Sequence, residues 1–190
     1  ADSLSAQMEQ GGGHIRRADL ECYEAVWRDP IIWEIYEYTF ISMGPPSSGG
    51  ILLAMMTKSL HEMGIGKEEF QSQRMVQMLT EVQRFAYADR ATHLGDPDYW
   101  DVPLKKLTGS NYLVQRIKEI DFEKAGSSDS IDAMMLAESE ETTHFCVVDK
   151  WGNAVSITTT LNNSFGSRIL ASHGKYFLNN EMDDFSTKPG

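Results

Sequence analysis

Apolar and polar positions recur with two different periods along this chain, and the change of period divides it. Between residues 50 and 63, Ile51, Leu52, Met55, Met56 and Leu60 follow helical spacing, which predicts an amphipathic helix. Gly64 and Gly66 break it. Residues 67–94 repeat the pattern at greater length, with Phe70, Met75, Met78, Leu79, Val82, Phe85 and Ala86 on the predicted buried side. Residues 112–120 give a third helix and 18–25 a short one begun near Arg17, while Pro97 and Pro103 mark a loop. β-branched and aromatic residues crowd 27–43, where Asp29-Pro30 forces a turn, so that stretch reads as a two-stranded hairpin. Residues 125–141 are rich in Ser, Asp and Glu and are expected to be mobile around 126–130. Beyond them the period shortens to two: 142–149 and 154–161 read as β runs joined by the turn Lys150-Trp151-Gly152-Asn153. Helices mainly over 50–120 and antiparallel strands over 142–180, without βαβ alternation, specify an α+β fold.

Composition removes several functions. At 190 residues the chain is long enough for one large domain or a small pair. A net charge of −11, spread along the sequence, disfavours a nucleic-acid partner, because phosphate binding needs clustered Lys and Arg. No apolar run approaches the roughly 20 residues that span a bilayer. Residues 1–13 are polar and glycine-rich, unlike a signal peptide. Cys22 and Cys146 belong to no CxxC pair, and the alternation of the β run predicts a buried, inert thiol at Cys146. The five histidines form no HxxxH or HExxH pair, and residues 44–50 form no GxxxxGK[ST] loop. Neither a metal nor a cofactor is expected.

The candidate chemistry sits where the period changes. Thr142 and Thr143 open the first β run, directly after the acidic residues Glu138, Glu140 and Glu141. A threonine hydroxyl needs an adjacent base to become a nucleophile, and the residue's own α-amine can serve if the chain is cut before it. Such an amine has a pKa of roughly 7.7–8, so part of it is neutral near physiological pH. Two threonines before a strand are common, and their role there is usually structural.

Further motifs distinguish the two. Thr142-Thr143-His144-Phe145, the run 152–162 ending Thr160-Leu161-Asn162, Asn163-Ser164-Phe165-Gly166-Ser167 and Leu178-Asn179-Asn180-Glu181-Met182-Asp183-Asp184-Phe185-Ser186 follow one another. Upstream stand Gly44-Pro45-Pro46-Ser47-Ser48-Gly49-Gly50 and Phe85-Ala86-Tyr87-Ala88-Asp89-Arg90. In this order the motifs resemble the γ-glutamyltransferase (γ-glutamyltranspeptidase) family of N-terminal nucleophile hydrolases, over roughly residues 10–190.

The resemblance implies a partial αββα sandwich. It also implies an internal piece of a longer protein, with residues 1–141 from the end of a large-subunit region and 142–190 from the start of a small-subunit region. Autoproteolysis between Glu141 and Thr142 would free the α-amine of Thr142, the nucleophile. Thr160 matches the threonine that hydrogen-bonds the nucleophile, and Asn162, Glu181 and Asp184 match residues that read the α-amino end of a γ-glutamyl group. The implied reaction is acyl transfer from glutathione and other γ-glutamyl compounds to water, amino acids or peptides. The family's oxyanion-hole glycines, serine pair and α-carboxylate-binding arginine fall outside this chain, so the piece alone is expected to be inactive. Unpaired sheet edges would favour a homodimer of the piece. Family habit implies a periplasmic or extracellular location, which this chain itself does not encode. Two rival readings stay open at this point: a related amidase such as a β-lactam side-chain acylase, and a non-catalytic scaffold on the same fold. His144 faces Thr142 at i+2 spacing, but an N-terminal nucleophile carries its own base, and a structural role is expected for this histidine.

Overall fold

A computed structural model describes residues 1–127 and 142–184. The expected mobility of 128–130 and the cleavage-site residue Glu141 lie outside the described residues. The chain forms two compact units, one of Val26 and the residues that follow it through the helices, the other of Ala1–Ala25 with the residues from 142 onward. The division at 141/142 inferred from the family concerns a covalent cut, and compactness does not bear on it.

In the helical unit, β1 (Ile31–Ile35) pairs antiparallel with β2 (Tyr38–Ser42). The expected hairpin is present, but its turn falls at Tyr36-Glu37, where Tyr36 has φ 55°, while Asp29-Pro30 leads into β1. Ile31 and Trp33 are buried and Ile32 is exposed, the alternation of a one-sided strand. Helix α3 (Gly49–Glu62) packs beneath the hairpin, and the Trp33 indole N–H donates to Thr57 Oγ1 at 3.0 Å. Gly50 permits the approach: a Cβ there would lie 2.1 Å from the Met43 carbonyl oxygen. This assigns a packing role to the end of the Pro-Pro-Ser-Ser-Gly-Gly loop.

The second long helix, α4 (Gln73–His93), begins later than the periodicity predicts. Gln71 takes a left-handed φ of 61°, and the Ser72 hydroxyl caps the helix by accepting from Met75 N–H at 3.2 Å. Phe70 therefore lies in the preceding turn and is exposed, not buried as expected, whereas Met78, Val82, Phe85 and Ala86 are buried. A short α5 (Leu104–Leu107) occupies part of the expected loop after Pro103, and α6 (Ser110–Lys118) supplies the third helix. Ile51, Leu52, Met55, Val82, Phe85, Leu107 and Leu113 form the core of this unit.

Asp89 of α4 is buried in that core beside Arg116 of α6, whose Nη2 lies 3.3 Å from Asp89 Oδ1. Burial raises the Asp89 pKa, against the lowering effects of a hydrogen bond from Tyr112 and of the Arg116 charge. Burial and the bond to Asp89 push the Tyr112 hydroxyl up to about 12.

In the other unit, α1 (Asp2–Gln10) was not anticipated, since the segment carries no apolar stripe. The Gln7 side chain fastens it to β5 (Leu170–Ala171): Nε2 donates to the Leu170 carbonyl at 2.9 Å, and Oε1 accepts from Ser172 N–H at 3.0 Å. An Arg17–Asp2 ion pair ties α2 (Arg17–Cys22) to α1. Two strands, β3 (Thr143–Val148) and β4 (Ala154–Thr159), form an antiparallel ribbon with Thr143 opposite Thr159 and Val148 opposite Ala154. β6 (Tyr176–Phe177) pairs with β5, and a 3-10 turn runs over Glu181–Asp184. Both residues Cys22 and Cys146 are exposed. The expectation of a buried Cys146 fails because the ribbon is two-stranded and every residue in it is exposed. Mixed helices and antiparallel strands bear out the α+β class.

Candidate active site

The Asp149 carboxylate organises the turn that sets the ribbon's register. Its Oδ1 accepts from the backbone N–H of Trp151 and of Asn153, each at 2.9 Å, and its Oδ2 accepts from Asn153 Nδ2 at 2.7 Å. These bonds, that from the Asn153 side chain foremost, hold the Asp149 pKa below its ordinary value. The sequence reading noticed the turn but not this carboxylate, although Asp at the head of a turn is a recognisable signal.

From that turn the ladder runs back to Thr143 opposite Thr159. Thr142 stands one residue before β3 and Thr160 one residue after β4. Both line an open depression of about 350 Å³, together with Thr143, Thr159, Leu161, Asn163 and Ser164. Alternation puts His144 and Cys146 on the Thr142 side of β3, with Thr158 and Ser156 opposite them. His144 is engaged at both ring nitrogens: Nδ1 lies 2.7 Å from Thr158 Oγ1 and Nε2 3.2 Å from Ser156 Oγ. These contacts cross-link the two strands and fit the structural role expected of this histidine.

The chain turns sharply after Thr160. Asn162 is buried and left-handed, with φ 73°, a conformation that Asn tolerates better than most residues. Its backbone N–H donates to Thr160 Oγ1 at 2.9 Å, and its side-chain Nδ2 donates to the Asn180 carbonyl at 3.1 Å. Thr160 Oγ1 is therefore the acceptor in the first bond.

Gly166, at φ 53°, lets the returning strand pass: a Cβ on it would lie 2.1 Å from the Leu178 carbonyl oxygen. Ser167 N–H donates to that carbonyl at 2.9 Å. The return leads into the acidic turn, where Glu181 is half-buried and its N–H donates to Asn179 Oδ1 at 3.1 Å. Asp184 closes the same turn. The structure thus brings Thr142 and Thr160 into one depression and links Asn162 to both Thr160 and the start of the acidic turn. Asn180, which stands within the 178–186 motif with no role assigned from sequence, supplies that link. Among the described residues no cluster of His, Cys, Asp and Glu is arranged to hold a metal ion, and no helix is long and apolar enough to cross a membrane.

Comparison with known proteins agrees with the motif order. The chain is 44% identical to the glutathione hydrolase proenzyme of Escherichia coli (strain K12), over all of this chain and 33% of that protein. It is 36% identical to the acylase ACY 1 proenzyme of Pseudomonas sp. (strain V22), over 99% of this chain and 33% of that one. Among solved structures, the γ-glutamyltranspeptidase from Pseudomonas nitroreducens complexed with L-DON superposes with a TM-score of 0.62 at 33% identity. That likeness covers 67% of this chain and 38% of the other. The chain spans about a third of the length of the curated relatives it matches. The family pattern of γ-glutamyltranspeptidase matches residues 1–190 in full, and the chain belongs to that family.

Proposed function

We propose that the full-length protein transfers γ-glutamyl groups from glutathione-like γ-glutamyl amides to water or to an amino acid or peptide, through an ester on Thr142. The carrying observation is the shared depression of Thr142 and Thr160, with Thr160 Oγ1 engaged by Asn162 N–H. The proenzyme name of the 44% identical relative supports a maturing cut, which in this chain falls between Glu141 and Thr142. In the precursor, the Thr142 hydroxyl attacks the Glu141 carbonyl and displaces the Thr142 nitrogen; water then hydrolyses the resulting ester and leaves a free α-amine. That amine takes the hydroxyl proton when Thr142 attacks the γ-carbonyl of the donor, and returns a proton to the departing amine. The Thr160 O–H donates to the Thr142 oxygen as its charge grows. Asn162, Glu181 and Asp184 read the α-amino end of the glutamyl group, so that only the γ-carbonyl reaches the nucleophile.

In this reading residues 1–141 end the large-subunit region and 142–190 begin the small one. The exposed ribbon of β3 and β4 is completed into an αββα sandwich by other segments of the protein. Residues 1–190 alone are inactive and dimerise through open strand edges, and the full-length protein works in the periplasm or outside the cell. Substitution Thr142→Ala in the full-length protein tests the core of this. Mass spectrometry is expected to find one uncut chain, and a chromogenic γ-glutamyl amide to release no amine. An uncut wild-type protein with full turnover sinks the mechanism.

The 36% identity to an acylase proenzyme supports a second reading, hydrolysis of a β-lactam side-chain amide by the same Thr142. Faster release from such an amide than from the γ-glutamyl one would favour it.

A further inference from the structure

We propose that Asn180 is a positioning residue that sets donor affinity by fixing the Asn162 loop to the acidic turn. The role rests on the γ-glutamyl reading above. Asn180 lies between β6 and the 3-10 turn and makes five hydrogen bonds. Its N–H donates to the Leu161 carbonyl at 3.1 Å, and its own carbonyl accepts from Asn162 Nδ2 at 3.1 Å and from Asp183 N–H at 3.0 Å. Its side-chain Oδ1 accepts from Asn163 N–H at 3.1 Å, while Nδ2 donates to Asp183 Oδ2 at 2.8 Å. Three bonds reach back to the loop and two reach forward to Asp183 in the turn.

The side chain is matched to this task. A primary amide offers an acceptor and a donor on one rigid group. Aspartate would keep the acceptor but set a second carboxylate against Asp183, and alanine would keep neither. The left-handed Asn162 bonds to the Asn180 backbone carbonyl, and its neighbour Asn163 bonds to the side-chain amide, so the amide holds the loop one residue on from Asn162. Loss of the amide removes the side-chain bonds to Asn163 and Asp183 and leaves the turn held to the loop by backbone bonds alone, with more freedom to shift relative to Asn162. The ladder that places Thr142 beside Thr160 is untouched, since Asn180 bonds to no residue in it. Binding of the α-amino end should therefore suffer more than the chemical step.

The test uses the full-length protein and a chromogenic γ-glutamyl amide. Asn180→Ala is expected to mature into two chains, with KM raised about tenfold or more and kcat within about threefold of wild type. Asn180→Asp is expected to raise KM near pH 8, and its KM ratio to wild type should shrink toward about pH 5, as the introduced carboxyl gains a proton and donates to Asp183. Wild-type KM in Asn180→Ala, or a kcat loss equal to the loss in kcat/KM, overturns the role and leaves the γ-glutamyl reading standing. If Asn180→Ala does not fold, Asn180→Asp decides: a KM ratio that is flat with pH overturns the role. A wild type that releases no amine sinks the γ-glutamyl reading and this role with it.

Discussion

Asn162 and Thr160 are joined by a backbone-to-side-chain hydrogen bond of 2.9 Å, so the residue proposed as a substrate contact also orients the hydroxyl beside the proposed nucleophile. One left-handed residue thus serves both neighbours with different groups, its backbone N–H bonding Thr160 and its side chain bonding Asn180.

Thr160→Val keeps the shape of the side chain and removes the hydroxyl. It is expected to lower kcat roughly 10–100-fold, the loss of a hydrogen bond to a developing negative charge worth about 1.5–3 kcal/mol. KM should change little. Steady-state kinetics on matured protein checks this, and an unchanged kcat excludes Thr160 from the chemistry.

Gly166→Ala places a methyl group 2.1 Å from the Leu178 carbonyl oxygen at a positive φ. The expected cost is about 1–3 kcal/mol of stability, read as a lower Tm, with reduced maturation because the return strand carries the acidic turn. A neighbouring Ser164→Ala, on the rim of the depression, serves as the mild control.

Asp149→Asn weakens the turn at the end of β3. The native carboxylate has its pKa held below the ordinary value, so its contribution is complete above the ordinary carboxylate pKa of about 4 and is lost as pH falls through the depressed one. The difference in Tm between wild type and variant should be constant at neutral pH and should narrow in strong acid. A difference that widens on acidification contradicts the assignment.

Asp89 predicts the opposite sign. Its folded pKa is raised, chiefly by burial, so the folded state holds this proton more tightly than the unfolded chain. Its contribution to stability therefore grows as pH falls through the raised pKa, down to the ordinary value of about 4. Asp89→Asn should remove that trend, seen as the pH dependence of wild-type minus variant unfolding free energy. Tyr112→Phe, which deletes the hydrogen bond to the same carboxylate, should raise the Asp89 pKa further.

Local patterns determined much of this protein. The apolar stripe of α3, the inner face of α4 from Met78 to Ala86 and the two β runs around the Asp149 turn are set by spacing, because side-chain direction follows backbone period. The order of the Thr142, Thr160 and Glu181 motifs likewise carries the family. Tertiary structure decided what depends on partners distant in sequence. Helix α1 exists against its weak pattern because Gln7 bonds to Leu170 and Ser172. Phe70 and Cys146 are exposed because burial needs a covering element, which alternation cannot supply. Asn180 gained its place at the site through bonds to residues 17 and 18 positions away. A sequence encodes each residue's capacity to donate, accept or bury; the fold alone brings the complementary group within 3 Å or leaves it in water.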